Sequence, residues 1–198
     1  SGLDPGSAAT AADLVTLGEL ALQNPVVAEI VATPSTSLHD VGTIDNTNKL
    51  LGSNGVDGIK TGTLDGANLL FSATITVGSR EIDLVGVVLD GPDHGTINSA
   101  IRSMIEQAQA GFHEVPLVTA GTVLASYETP WGEKADAVAA HDATVVVWGD
   151  TPITAQVTAD DIRLAAKGVE LGSVVFTAGA FFFSIRRRHT RFDCDWSS

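Results

Sequence analysis

The sequence predicts an α+β chain, with helices packed on an antiparallel sheet and a small all-β domain following. Three observations point there. Apolar residues recur at helical spacing at Leu14, Leu17, Leu20 and Ala21, and again at Ile97, Ile101, Met104, Ile105 and Ala108. Between those segments, Leu69, Phe71, Ala73, Ile75 and Val77 alternate with Ser72, Thr74 and Thr76, which is the two-residue period of a half-buried strand. From His113 to Gly179 the chain breaks into short β-type runs separated by Gly, Pro and Asp, including Pro130-Trp131-Gly132 and Gly149-Asp150.

Each element has a local reason. Thr10-Ala11-Ala12-Asp13 reads as a capping box opening the first helix, because a Thr hydroxyl and a carboxylate three residues on can satisfy each other's amides. Asn24-Pro25 reads as a fresh N-cap with Pro in the first turn, giving a short helix to about Ala32. Residues 36–41 are expected as a strand, and the polar stretch Asp45 to Gly55 as a loop. A strand from Val56 to Thr63 follows. Gly78-Ser79-Arg80 turns the Leu69–Val77 strand into another at Ile82 to Leu89. That second strand is nearly all apolar and is expected to be buried on both faces. Gly91-Pro92-Asp93 breaks the chain before a helix stopped by Gly111. The later runs are Val115–Val118, Thr122–Tyr127, Ala135–Ala140, Thr144–Trp148, Ile153–Val157 and Val174–Thr177, with the domain boundary near residues 112–118.

Composition narrows the function. Eleven basic residues face 24 acidic ones, a formal net charge of −13. Four of the cations, Arg186, Arg187, Arg188 and Arg191, lie in the last segment, so the body is more acidic still. Such a body repels nucleic acid and anionic membrane surfaces. A hydrophobic content of 44% excludes a disordered chain. No apolar run reaches the roughly 18 residues a spanning helix needs. The one cysteine, Cys194, also lies in the last segment, so the body has no disulfide. His39, His94, His113 and His141 are scattered without ligand spacing, so no metal and no cofactor is expected. Trp131 and Trp148 are expected to pack inside the β-domain, and Asp57 to be a strand-end carboxylate.

Residues 181–198, beginning Phe181-Phe182-Phe183-Ser184, closely resemble the conceptual translation of sequencing-adapter DNA. They are expected to be a sequencing artefact and stand outside the fold reasoning. The chain opens at Ser1-Gly2-Leu3-Asp4-Pro5 without a basic and apolar leader, so any secretory signal is expected upstream.

The residues that carry chemistry are Lys60-Thr61-Gly62-Thr63 on the Val56–Thr63 strand. Side chains alternate along a strand, which sets Lys60 and Gly62 on one face and Ile59 and Thr61 on the other. Lys60 brings a cation to bind a carboxylate-ended substrate or to hold a neighbouring hydroxyl. Gly62 lets a peptide lie against the strand as an added strand. Thr63 offers a backbone amide to an oxyanion and a hydroxyl to a terminal carboxylate. Lys-Thr-Gly is one of three short motifs of penicillin-interacting serine enzymes, and the other two, Ser-x-x-Lys and Ser-x-Asn, have no usable match in the sequence.

Longer strings extend the pattern. Ser1-Gly2-Leu3-Asp4 with the helix Ala9 to Leu22, Asn48-Lys49-Leu50-Leu51, Val56-Asp57-Gly58-Ile59-Lys60-Thr61-Gly62, Asn68-Leu69-Leu70-Phe71-Ser72-Ala73-Thr74, and Ala110-Gly111-Phe112 together resemble the low-molecular-mass penicillin-binding proteins of the D-alanyl-D-alanine carboxypeptidase type. The resemblance implies that residues 1–112 are the C-terminal part of a β-lactamase/transpeptidase-like catalytic domain, with its first half upstream and with strand edges and apolar faces left bare. It implies that residues 113–180 are the C-terminal β-rich domain, with Gly168-Val169-Glu170-Leu171-Gly172 resembling a late turn there. The implied activity is removal of the terminal D-Ala from peptidoglycan stem peptides through an acyl-serine intermediate, with β-lactams as inhibitors. Lys60, Thr61, Gly62 and Thr63 are then the substrate-binding edge, Lys60 also catalytic, and the Ser nucleophile and its Lys partner belong upstream. An extracytoplasmic location follows, with membrane association through a further C-terminal segment.

One departure stands out: the family often places an Arg near the start of the closing helix, where this chain has Asp93-His94-Gly95-Thr96, and Arg102 receives no role. Two other readings compete. A class A β-lactamase needs a Glu-x-x-x-Asn loop, and Glu29-Ile30-Val31-Ala32-Thr33 ends in Thr. A non-catalytic cell-wall-binding module would place the activity in residues 113–180.

Overall fold

The computed structural model describes residues 6, 8–128, 131–132, 134–159, 172–179 and 194–197. Ser1 to Asp4, Gly168 to Leu171 and Phe181 to Arg191, which carry three of the expectations above, lie outside the described residues. The chain divides into two compact units between Gly111 and Phe112.

The first unit opens with α1 (Ala11–Leu22), capped as its sequence predicts. The Thr10 hydroxyl accepts from the Asp13 amide at 3.2 Å, and the Asp13 carboxylate accepts from the Thr10 amide at 2.9 Å. The bond from the Thr10 amide foremost, and then one that the Thr10 hydroxyl donates to the same carboxylate at 2.8 Å, hold the Asp13 carboxyl below its ordinary range. Asn24 caps α2 (Pro25–Ala32) through the amides of Val26 and Val27, and Pro25 supplies the first turn. The chain bends by 106° between the two helices. No single helix among the described residues is long and apolar enough to cross a membrane.

The strand expected over 36–41 is instead a hairpin, β1 (Ser35–Leu38) with β2 (Gly42–Asp45). Asp40 and Gly42 at φ +67° and +88° reverse the chain there, a change of direction that a run of polar residues does not announce. The Asn46–Gly55 loop leads into β3 (Val56–Thr63), which pairs antiparallel with β4 (Ala67–Val77), which pairs antiparallel with β5 (Arg80–Gly91). Gly55 (φ +75°) is obligatory at the entrance: a Cβ there would lie 2.1 Å from the Thr74 carbonyl oxygen.

The central strand β4 carries the core. Leu69, Phe71, Ala73, Ile75 and Val77 are all buried, as their alternation predicts. Helix α3 (His94–Gly111) covers that face with Ile97, Ile101 and Ile105, and a Cβ at Gly91 beside Ala67 would strike Ile97. Each fully buried Ile or Leu here contributes about 1.5–3 kcal/mol. Helix α1 covers the other face, with Gly18 resting against Ile59, Leu70 and Val85. The contact is made by that glycine, so Leu17 and Leu20 point outward, 58% and 57% exposed, as do Val26 and Ile30 on α2. Strand β5 is half-buried rather than enclosed, because it is an edge of the sheet.

The second unit is all β among the described residues. It contains β6 (Phe112–Val118), β7 (Val123–Glu128), β8 (Lys134–Ala139), β9 (Ala143–Trp148), β10 (Ile153–Ala159), β11 (Gly172–Ala178) and β12 (Cys194–Ser197). All pair antiparallel: β6 with β9, β8 with both β7 and β12, and β10 with β11. The six predicted runs fall on the first six of these strands. Residues 194–197, set aside from the sequence reading of the fold, form the edge strand β12. Trp148 packs edge-to-face on Phe112 with ring centroids 4.9 Å apart, but Trp131 is 61% exposed and is not a core residue. It sits in a turn beside Gly132, whose φ is +86°.

Candidate functional site

The motif strand β3 ends beside the start of α3, and register alone explains why. Thr63 pairs with Ala67, Ala67 pairs with Gly91, and His94 follows three residues later as the first residue of α3. The chain therefore returns across two strands to the place where Lys60-Thr61-Gly62-Thr63 ends.

The entrance to β3 is held by two asparagines. Asn48 is 6% exposed, donates from Nδ2 to the Gly58 carbonyl at 3.0 Å and accepts the Leu50 amide at 3.0 Å. Asn46 donates to the carbonyls of Val31 and Thr33, both at 3.1 Å, and accepts the Asn48 amide at 2.9 Å. The loop is thereby fastened to the end of α2 and to β3, with the fully buried Leu50 as its apolar anchor. Buried Ser72 donates to Asp57, which leaves that carboxylate as a strand-end bonding partner.

The four motif residues are placed as follows. Lys60 is exposed, and its Nζ donates to the Thr61 carbonyl. The Thr61 hydroxyl meets the Thr47 hydroxyl at 2.5 Å. Gly62 is open: a Cβ there would touch only Asn68 Cβ, at 3.9 Å, so packing does not demand the glycine. The Thr63 hydroxyl lies 2.7 Å from His94 Nε2. Among the described residues β3 has a strand neighbour on one side only, so its outer edge is free to receive an extended chain. A row of hydroxyls, an ammonium and an imidazole beside an open edge suits a peptide that ends in a carboxylate.

Sequence reasoning identified the four motif residues and missed Thr47, Asn48 as a fastener, and His94. Asn48 was marked only by its place before Leu50-Leu51. His94 and Thr47 carry no local signal, because their roles depend on register 31 and 14 residues away. Arg102 lies exposed two turns into α3. Glu29 and Thr33 are bonded within α2, the Thr33 hydroxyl donating to the Glu29 carbonyl at 2.7 Å, so they form no loop. Among the described residues no three His, Cys, Asp or Glu side chains gather as a metal site.

This fold is that of the penicillin-binding proteins. Penicillin-binding protein 5 from Haemophilus influenzae matches 98% of the chain with a TM-score of 0.55 and 21% identity. A peptidoglycan synthesis regulatory factor (PBP3) from Streptococcus pneumoniae matches 97% with a TM-score of 0.59 and 20% identity. Penicillin-binding protein 6B from Escherichia coli matches 94% with a TM-score of 0.55 and 21% identity. The chain spans 58%, 58% and 50% of the length of these three. No protein-family model and no curated protein sequence matches it.

Proposed function

We propose that this chain is the latter part of a serine-type D-alanyl-D-alanine carboxypeptidase that trims peptidoglycan stem peptides. The observation that carries the reading is the open β3 edge bearing Lys60-Thr61-Gly62-Thr63 within a penicillin-binding-protein fold. The stem peptide adds to β3 as an antiparallel strand, with Gly62 allowing the close approach. Lys60 and the hydroxyls of Thr61 and Thr63 bind its terminal carboxylate, and the Thr63 amide donates to the oxyanion as the peptide carbonyl is attacked. The attacking serine hydroxyl and its lysine base come from sequence preceding this chain. D-Ala leaves as the acyl-serine ester forms, and water then releases the shortened peptide. β-Lactams acylate the same serine. Residues 1–112 are the end of the catalytic domain and 113–180 an accessory β-domain. The protein works outside the cytoplasmic membrane, associated with it through a segment beyond this chain, and residues 181–198 belong to a sequencing artefact.

The test is to recover the coding DNA on both sides and express the extended protein. Release of D-Ala from an acyl-D-Ala-D-Ala peptide, and labelling by a fluorescent penicillin, are the expected results. Lys60→Ala is expected to reduce the acylation rate by about a hundredfold or more, the scale of losing an electrostatic contact to the reacting group. An extended protein that carries Ser-x-x-Lys yet binds no penicillin refutes the reading.

A further inference from the structure

The turn that follows the motif strand holds an exposed apolar side chain on a braced support. Leu64, the first residue after Thr63, is 63% exposed. Its amide donates to the Gly66 carbonyl at 3.2 Å, and Asn68 Nδ2 donates to the same carbonyl at 2.9 Å. Asn68 Oδ1 accepts the Asp90 amide at 2.8 Å, which ties the turn to the end of β5. Gly66 lies so close to Asp90 that a Cβ there would strike its carboxylate and its Cα. A lone exposed leucine is ordinary on a protein surface, and it is the place of this one that matters. Held on a braced turn, it loses little freedom when a ligand packs on it.

Strand direction fixes that place. A peptide that adds antiparallel to β3 with its C-terminus toward Lys60 runs its earlier residues toward Thr63 and past it. With the Thr63 amide on the attacked carbonyl, the penultimate residue lies opposite Thr63, and the residue before it falls beside Leu64. Two carboxylates flank that position: Asp65 is exposed in the turn, and the Asp90 carboxylate rests against Gly66. Together they make the surroundings of Leu64 unfavourable to an anionic group.

We propose that Leu64 is a specificity residue: it packs on the aliphatic side chain of the residue that precedes the D-Ala pair, and Asp65 and Asp90 beside it disfavour a side chain ending in a carboxylate. The substrate that fits is a peptide with a long methylene stem at that position, ending in a neutral or cationic group. The inference rests on the carboxypeptidase reading for the direction of the bound peptide and the place of the reacting carbonyl.

The experiment uses the extended protein, with penicillin labelling as the check on the carboxypeptidase reading. N-acetyl tripeptides ending in D-Ala-D-Ala are compared by kcat/KM for D-Ala release, with norleucine, Ala, Gln or Glu as the first residue. Norleucine is expected to exceed Ala by about tenfold, the scale of roughly two methylenes taken from water. Leu64→Ser is expected to bring that ratio to about twofold or less, and Leu64→Met to keep it. Each ratio is taken within one protein, so a change in folded fraction cancels. Gln is expected to exceed Glu by about threefold at low salt, and by less as salt is raised. A norleucine-to-Ala ratio that Leu64→Ser leaves unchanged overturns the role of Leu64, and the carboxypeptidase reading stands where penicillin labels the protein. Glu cleaved as fast as Gln overturns the charge selection. An extended protein that neither takes the label nor releases D-Ala refutes the carboxypeptidase reading, and the specificity falls with it.

Discussion

Asn48→Ala is the sharpest probe of how the motif strand is held. Asn48 is 6% exposed and makes two bonds, one to the Gly58 carbonyl and one from the amide of Leu50, a residue with 0% exposure. Truncation removes both and leaves a buried carbonyl and a buried amide without these partners. Each such loss costs about 1–3 kcal/mol, so the pair amounts to roughly 2–4 kcal/mol with partial relief by water. For a unit of this size the urea slope is about 1.5 kcal/mol per molar, so the midpoint should fall by about 2 M. Amide resonances of β3 and β4 report the transition for the first unit alone. Asn48→Asp separates the two bonds. It keeps the acceptor for Leu50 but sets an oxygen against the Gly58 carbonyl, and should destabilise at least as much as alanine. The exposed Thr47→Ala, losing a hydroxyl pair at the surface, should move the midpoint little. A midpoint for Asn48→Ala within about 0.3 M of wild type, roughly 0.5 kcal/mol, would refute the account of the loop as fastened by this side chain.

Other outcomes follow from the same geometry. Gly86→Ala places a Cβ 2.6 and 2.7 Å from two ring carbons of Phe71 and should cost about 1–3 kcal/mol in a thermal melt, whereas a neutral result would mean that the β4–β5 ring contact yields freely. The Asp93 carboxyl is lowered by its bond from the Thr96 amide and then by that from the Thr96 hydroxyl. A carboxyl lowered by folding stabilises above its unfolded value and loses that contribution as pH falls through its folded value, so Asp93→Asn should flatten the loss of α3 between neutral and about pH 3; an unchanged acid limb counts against the cap. Leu17→Glu and Leu20→Glu on the bare face of α1 should leave the melting temperature within a few degrees, since neither side chain is in the core, and a large drop would show that this face is packed in solution.

How much of this was legible in the sequence differs from element to element. The capping box at Thr10 and Asp13, the Asn24-Pro25 start and the limits of β3 could be read directly, because each is fixed by residues within one turn of helix or one strand. The β1–β2 hairpin could not, because Ser, Thr and His serve a strand and a turn equally until Asp40 and Gly42 adopt positive φ. The burial of β5 was overestimated because hydrophobicity does not say whether a strand is central or at an edge. The outward turn of Leu17 and Leu20 was likewise hidden, because a buried glycine carries no hydrophobic signal.

The sequence by itself determined the α+β order of elements, the run of β-strands after Phe112, and Lys60-Thr61-Gly62-Thr63 as the place to look. Those are consequences of period, capping and composition, which act over a few residues. Only the tertiary structure decided that β3 is an open edge, that Asn48 fastens its entrance, and that His94 meets Thr63. Those depend on strand register and on the return of α3 across the sheet, and a register of paired backbones is set by long-range burial that no local segment encodes.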